Sequence, residues 1–103
     1  MSIQDKIKAQ IENNSIILYM KGTPQFPQCG FSSKAVHLLK SSGVDNFAFV
    51  NVLEDEDIRQ GIKEYSEWPT IPQLYVNNKF IGGCDIMTEM FQTGELQTLM
   101  KSI

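Results

Sequence analysis

The stretch Ser15-Ile16-Ile17-Leu18-Tyr19-Met20-Lys21-Gly22-Thr23-Pro24-Gln25-Phe26-Pro27-Gln28-Cys29-Gly30-Phe31-Ser32 decides how this chain folds. After Ser15 it opens as a continuous apolar run containing β-branched residues, the pattern of a strand covered on both faces. Gly22, Pro24 and Pro27 then punctuate a loop. Beyond Cys29, Ala35, Val36, Leu38 and Leu39 recur at helical spacing, which predicts a helix to about Ser42 that Gly43 can close in the left-handed conformation. Upstream, Ile3, Ile7 and Ile11 stand four apart on one face of a short helix over residues 3–12, broken by Asn13-Asn14. Downstream, residues 47–52 read as a second strand and 55–66 as a helix with acids in its first turn. Strands joined through a helix lie parallel in one sheet, as neighbours or near neighbours. Residues 73–76 and 79–81 around Asn77-Asn78 predict an antiparallel hairpin. A last helical stretch starts at Asp85, is interrupted at Gly94 and resumes through Leu96, Leu99 and Met100. The order α-β-α-β-α-β-β-α is that of an α/β fold, a mixed four-stranded sheet flanked by helices. Ligands on such sheets bind beyond the C-terminal ends of the parallel strands.

With 103 residues, 42% of them hydrophobic, the chain has room for one domain over 1–103 and for a modest core. Nine Lys and Arg against twelve Asp and Glu give a net charge of −3. That balance argues against nucleic acid as a partner, since phosphate-backbone binding needs clustered positive charge. No apolar run approaches the roughly 20 residues of a membrane span. The first residues carry neither an apolar leader nor an Arg-rich presequence, so the expected address is the cytoplasm, with no membrane partner. The two cysteines, Cys29 and Cys84, are too few for a disulfide scaffold or a four-thiolate metal site within one chain.

Cys29 is expected where a loop becomes a helix, facing unpaired backbone N–H groups and the positive end of the helix dipole, a setting that favours thiolate. Lys21 at the end of the preceding strand can add a full positive charge. A lone cysteine is more often a small buried hydrophobe, and it is position that reverses the odds here. Ser32 stands three residues after Cys29, where a dithiol oxidoreductase has its resolving cysteine, so no Cys-x-x-Cys disulfide can form. Pro72, in Trp68-Pro69-Thr70-Ile71-Pro72 just before a strand, is a candidate for a cis peptide bond. Such a bond would expose the backbone of Ile71 as an unpaired edge to which an extended peptide can add, whereas a plain trans turn is commoner for proline in general. Gly82-Gly83 before Cys84-Asp85 permits close backbone approach, and a helix start there can hold a carboxylate; the plainer reading is a strand-to-helix bend with Asp85 as a cap. Arg59, the only arginine, would by itself be a solvated surface charge. His37 has no partner at metal spacing. Met87, Met90 and Met100 read as packing residues, and Trp68 as a brace for the loop before Pro72.

Lys21-Gly22-Thr23-Pro24, Pro27-Gln28-Cys29-Gly30-Phe31-Ser32, Trp68-Pro69-Thr70-Ile71-Pro72-Gln73 and Gly82-Gly83-Cys84-Asp85 together make the chain resemble the monothiol glutaredoxins of the Cys-Gly-Phe-Ser type. The resemblance covers essentially the whole chain, with four motifs in order, and looks most like the single-domain bacterial glutaredoxin-4-like form. It implies a thioredoxin-like fold and a glutathione site. Lys21 and Arg59 would take the glycine carboxylate, Ile71 would pair its backbone with the cysteinyl unit beside Pro72, and Cys84 with Asp85 would take the γ-glutamyl end.

The resemblance also implies a two-iron, two-sulfur cluster. Such a cluster takes four thiolates, and one chain with one glutathione offers two, which leads to a homodimer bridged by the cluster. Cys29 of each protomer is then the metal ligand, and the cluster passes to iron–sulfur acceptor proteins or arrives from donors, with a BolA-like protein as a possible replacement for the second copy. The rival expectation is a weak enzyme, in which Cys29 attacks a protein–glutathione mixed disulfide and a second glutathione resolves the intermediate. A third is a redox-inert module that binds through the Ile71 edge. A Cys29–Cys84 disulfide depends on a distance that sequence does not supply.

Overall fold

The computed structural model describes residues 2–103, and the first of its elements shows how local chemistry sets the boundaries. Helix α1 (Ile3–Glu12) starts at a capping box, in which the Ser2 hydroxyl accepts from the Asp5 N–H and the Asp5 carboxylate accepts from the Ser2 N–H. Strand β1 (Ile16–Met20) follows, then α2 (Gly30–Ser41), β2 (Ala48–Asn51) and α3 (Glu56–Ser66). The α2 helix ends in a Schellman motif, with the Gly43 N–H donating to Lys40 O at 3.0 Å and the Val44 N–H to Leu39 O at 3.1 Å. Gly43, at φ +93°, supplies the left-handed residue that this motif requires. Asp55 caps α3 by accepting from the N–H groups of Asp57 and Ile58. A hairpin of β3 (Gln73–Val76) and β4 (Lys79–Gly82) turns at Asn77 and Asn78, both at positive φ as a type I′ turn demands. Helices α4 (Cys84–Thr93) and α5 (Glu95–Lys101) are separated by Gly94 at φ +85°.

The sheet order is β2-β1-β3-β4, with β1 parallel to β2 and antiparallel to β3. Alternation along β1 divides the core in two. Leu18 and Met20 face α2, α4 and α5, where they meet Leu39, Met87 and Leu96. Ile17 and Tyr19 face α1 and α3, where they meet Ile7, Ile11, Ile58 and Ile62. Both faces of β1 are therefore dry, as its uninterrupted apolar run predicts. The expected α/β fold is present, with β2 a residue shorter at each end than its apolar run, β4 a residue longer and α4 starting at Cys84 rather than Asp85. Among the described residues, no helix is long and apolar enough to cross a membrane.

Candidate functional site

The C-terminal end of β1 delivers Lys21 to a loop that folds back on itself. The Gln28 N–H donates to Lys21 O at 2.9 Å, Gly22 bridges Pro27, and the Gly22 N–H donates to Asn51 Oδ1 at 2.9 Å. Gly22 sits at φ +90°, and a Cβ there would lie 2.5 Å from Phe26 O and 2.7 Å from Gln28 N, so only glycine fits between these backbone atoms. The loop ends at Cys29, the N-cap of α2, in an extended conformation with φ −155°.

Cys29 is partly exposed, whereas Cys84 is buried, and both are free thiols. The Cys29 thiol is held below its ordinary pKa, chiefly because the Ser32 backbone N–H donates to it, with further help from the Phe31 N–H and the positive charge of Lys21; partial burial acts against these. Ser32 is fully buried and its hydroxyl accepts from the Lys21 N–H at 3.1 Å. The serine in the resolving-cysteine position thus ties the helix start to the end of β1.

A cleft of about 360 Å³ opens beside Cys29. One wall carries Lys21, Cys29 and Phe31; the opposite wall is the segment from Trp68 to Pro72, and the start of α4 closes the end with Gly83, Cys84 and Asp85. The Ile71–Pro72 peptide bond is cis, as its sequence position suggests, and the Ile71 backbone N–H and C=O have no partner among the described residues. A Cβ on Gly83 would stand 3.2 Å from Pro72 O and 3.3 Å from Trp68 Nε1, so any larger residue would press on the wall by a few tenths of an ångström.

Lys21, Cys29, Ile71, Cys84 and Asp85, scattered over more than sixty positions of sequence, thus line one cleft. Arg59 does not line it: its guanidinium lies 3.6 Å from Glu56, one turn earlier on the same helix. Lys63, four residues on and so on the same face of α3, lines the cleft and was not anticipated. Trp68 does more than brace a loop, since it forms part of the wall, with its ring edge-on to Phe80 at 5.8 Å. Phe26 and Phe31, on either side of Cys29, are 74% and 63% exposed, an unusual display of aromatic surface around a thiol. Chemically, the cleft offers ammonium groups, a thiolate, an unpaired backbone edge and a helix start with a carboxylate. That set suits an extended thiol peptide with anionic and cationic ends. Among the described residues, no group of three or more His, Cys, Asp or Glu side chains could hold a metal ion alone.

Residues 16–81 match the family model described as Glutaredoxin. The chain is 58% identical over 97 residues to "Monothiol glutaredoxin-5, mitochondrial" of Lachancea kluyveri, covering 92% of this chain and 68% of that protein. It is 52% identical over 103 residues to "Glutaredoxin 4" of Pasteurella multocida, covering 100% of this chain and 94% of that one. The fold superposes on the solution structure of reduced apo GrxS14 from poplar with a TM-score of 0.82 at 47% identity, covering 97% of this chain and 91% of that one.

Proposed function

The chain belongs to the glutaredoxin family, in its monothiol branch, and from that premise we propose that it binds glutathione and, with it, carries a two-iron, two-sulfur cluster between proteins. The observation that supports this reading most is the isolation of Cys29. It is a partly exposed thiol of lowered pKa in a cleft fit for a second, diffusible thiol, with no further ligand cluster among the described residues. In this proposal Lys21 and Lys63, with Arg59 from the turn above, attract the glycine carboxylate. The Ile71 backbone pairs with the cysteinyl unit, and the free N–H groups at Cys84 with the Asp85 carboxylate receive the γ-glutamyl end.

The cluster is cargo, and its four thiolates come from two protomers, each giving Cys29 and one glutathione. Exposed Phe26 and Phe31 beside Cys29 are the apolar surface that a second copy, or a BolA-like protein in its place, would cover. Because half of the ligands are exchangeable, the cargo can leave for an acceptor protein without unfolding a cage. The proposed compartment is the cytoplasm, where thiols stay reduced.

Anaerobic reconstitution with iron, sulfide and glutathione should give a dimer with two irons and a charge-transfer absorption spectrum, dependent on glutathione. Cys29→Ser should lose it. Cluster binding without glutathione, or by Cys29→Ser as well as by the native chain, defeats the proposal. The lowered pKa of Cys29 favours a second reading, reduction of glutathione mixed disulfides, and rapid turnover on a small mixed disulfide by the cluster-free monomer would promote that reading to first place.

A further inference from the structure

The wall of the cleft from Trp68 to Pro72 is tied by the backbone only at its start, where the Trp68 N–H donates to Lys63 O at 3.1 Å; from Pro69 to Pro72 it makes no backbone hydrogen bond among the described residues. Two of its five residues are prolines without an N–H, and the Ile71 backbone is unpartnered. Two of its carbonyls are instead gathered by one side chain. Gln73 Nε2 donates to Trp68 O at 3.0 Å and to Thr70 O at 3.1 Å, which uses both amide protons. Gln73 is fully buried and is the first residue of β3, where it pairs with Tyr19 of β1, so the clamp is anchored in the rigid centre of the sheet. Its Oε1 is buried without a partner, a cost the fold retains for the sake of the donor end. Flipping the amide would set oxygen against two carbonyls, so the orientation follows from the acceptors.

We propose that Gln73 is the positioning residue of the cleft: by clamping the Trp68 and Thr70 carbonyls it holds the Ile71 backbone edge and the Trp68 ring in the geometry that receives the thiol peptide. Gln73 itself is fully buried and does not line the cleft. This rests on the glutathione reading only for the identity of the ligand; the clamp is tested without it.

The variant is Gln73→Met, of similar length and without a donor. Trp68 is the single tryptophan of the chain, so its emission reports on this wall alone. In Gln73→Met the emission should shift to the red, and the backbone amide chemical shifts of Thr70 and Ile71 should move while those of β1 stay in place. Glutathione binding by calorimetry should weaken by about tenfold, the scale of one or two neutral hydrogen bonds. Alkylation of Cys29 by iodoacetamide should stay within twofold, because its thiolate is set by α2 on the opposite wall. A general loss of packing would instead move all probes together. In the native chain, the two Gln73 amide protons should exchange slowly with solvent, a measurement that stands even where the variant fails to fold. Unchanged emission and unchanged Thr70 and Ile71 amide shifts in Gln73→Met, or fast-exchanging Gln73 amide protons in the native chain, overturn the clamp. Should the native chain bind no glutathione, the function proposed above fails, and emission and exchange still decide the role of Gln73.

Discussion

Replacing Gly22 by alanine probes the loop that sets up Cys29. The backbone at Gly22 has φ +90°, where an L-residue costs about 1–2 kcal/mol. The added Cβ would also lie 2.5 Å from Phe26 O and 2.7 Å from Gln28 N, both backbone atoms that cannot rotate away. Relieving an overlap of that kind costs about 1–3 kcal/mol, so the total is about 2–5 kcal/mol. A domain of this size has about 5–15 kcal/mol of stability in all, which makes the loss severe. Gly43 is the control, since it has φ +93° but nothing within 4 Å of an added Cβ, so Gly43→Ala should lose only the conformational part. The difference between the two variants in urea denaturation, at constant m, should be about 1–3 kcal/mol and isolates the overlap. If the loop yields instead of the whole fold, the bond from the Gln28 N–H to Lys21 O breaks. Cys29 alkylation at neutral pH then slows as Lys21 moves away. Equal stability of Gly22→Ala and Gly43→Ala, together with unchanged alkylation, would refute the reasoning.

Two further outcomes follow from the same geometry. Because the folded pKa of Cys29 lies below its ordinary value, the thiolate contributes stability that is fully present above the pH where the unfolded thiol ionises and is lost as pH falls through the folded pKa. The stability difference between the native chain and Cys29→Ser should therefore grow with pH across that window, and a flat difference in denaturation midpoints contradicts it. Gly61 is buried on α3 against α1, where an added Cβ would meet the Ile3 side chain and come within 2.9 Å of Ile7 Cδ1. The gain in helix propensity, about 1 kcal/mol, loses to overpacking of about 1–3 kcal/mol. Gly61→Ala should melt about 5 °C lower, and a higher melting temperature shows that α1 simply steps aside.

The elements were legible because each carries its own signal. The apolar run of β1, the four-residue spacing in α1 and the Asn-Asn turn are local patterns with local causes, and the structure places them within a residue or so of the expected boundaries. The cysteine at a loop-to-helix junction was readable for the same reason, since a helix N-terminus exposes N–H groups whatever it packs against. Arg59 and Lys63 show where local patterns stop. Standing four apart, they share one face of α3, and which of them lines the cleft depends on how the buried Ile58, Gly61 and Ile62 seat that helix on α1 and the sheet.

Gln73 makes the same point from the other direction. In sequence it is one polar residue at the head of an apolar strand, and nothing nearby calls for a buried amide. Sequence alone determined the order of elements, the sheet class and the chemistry of Cys29, because these rest on periodicity, capping and the count of thiols. Only the tertiary structure decided the strand order β2-β1-β3-β4, the choice of Lys63 over Arg59 along the cleft and the clamp made by Gln73. Each of these depends on contacts between segments distant along the chain, whose geometry is set by packing, and packing has no period to read.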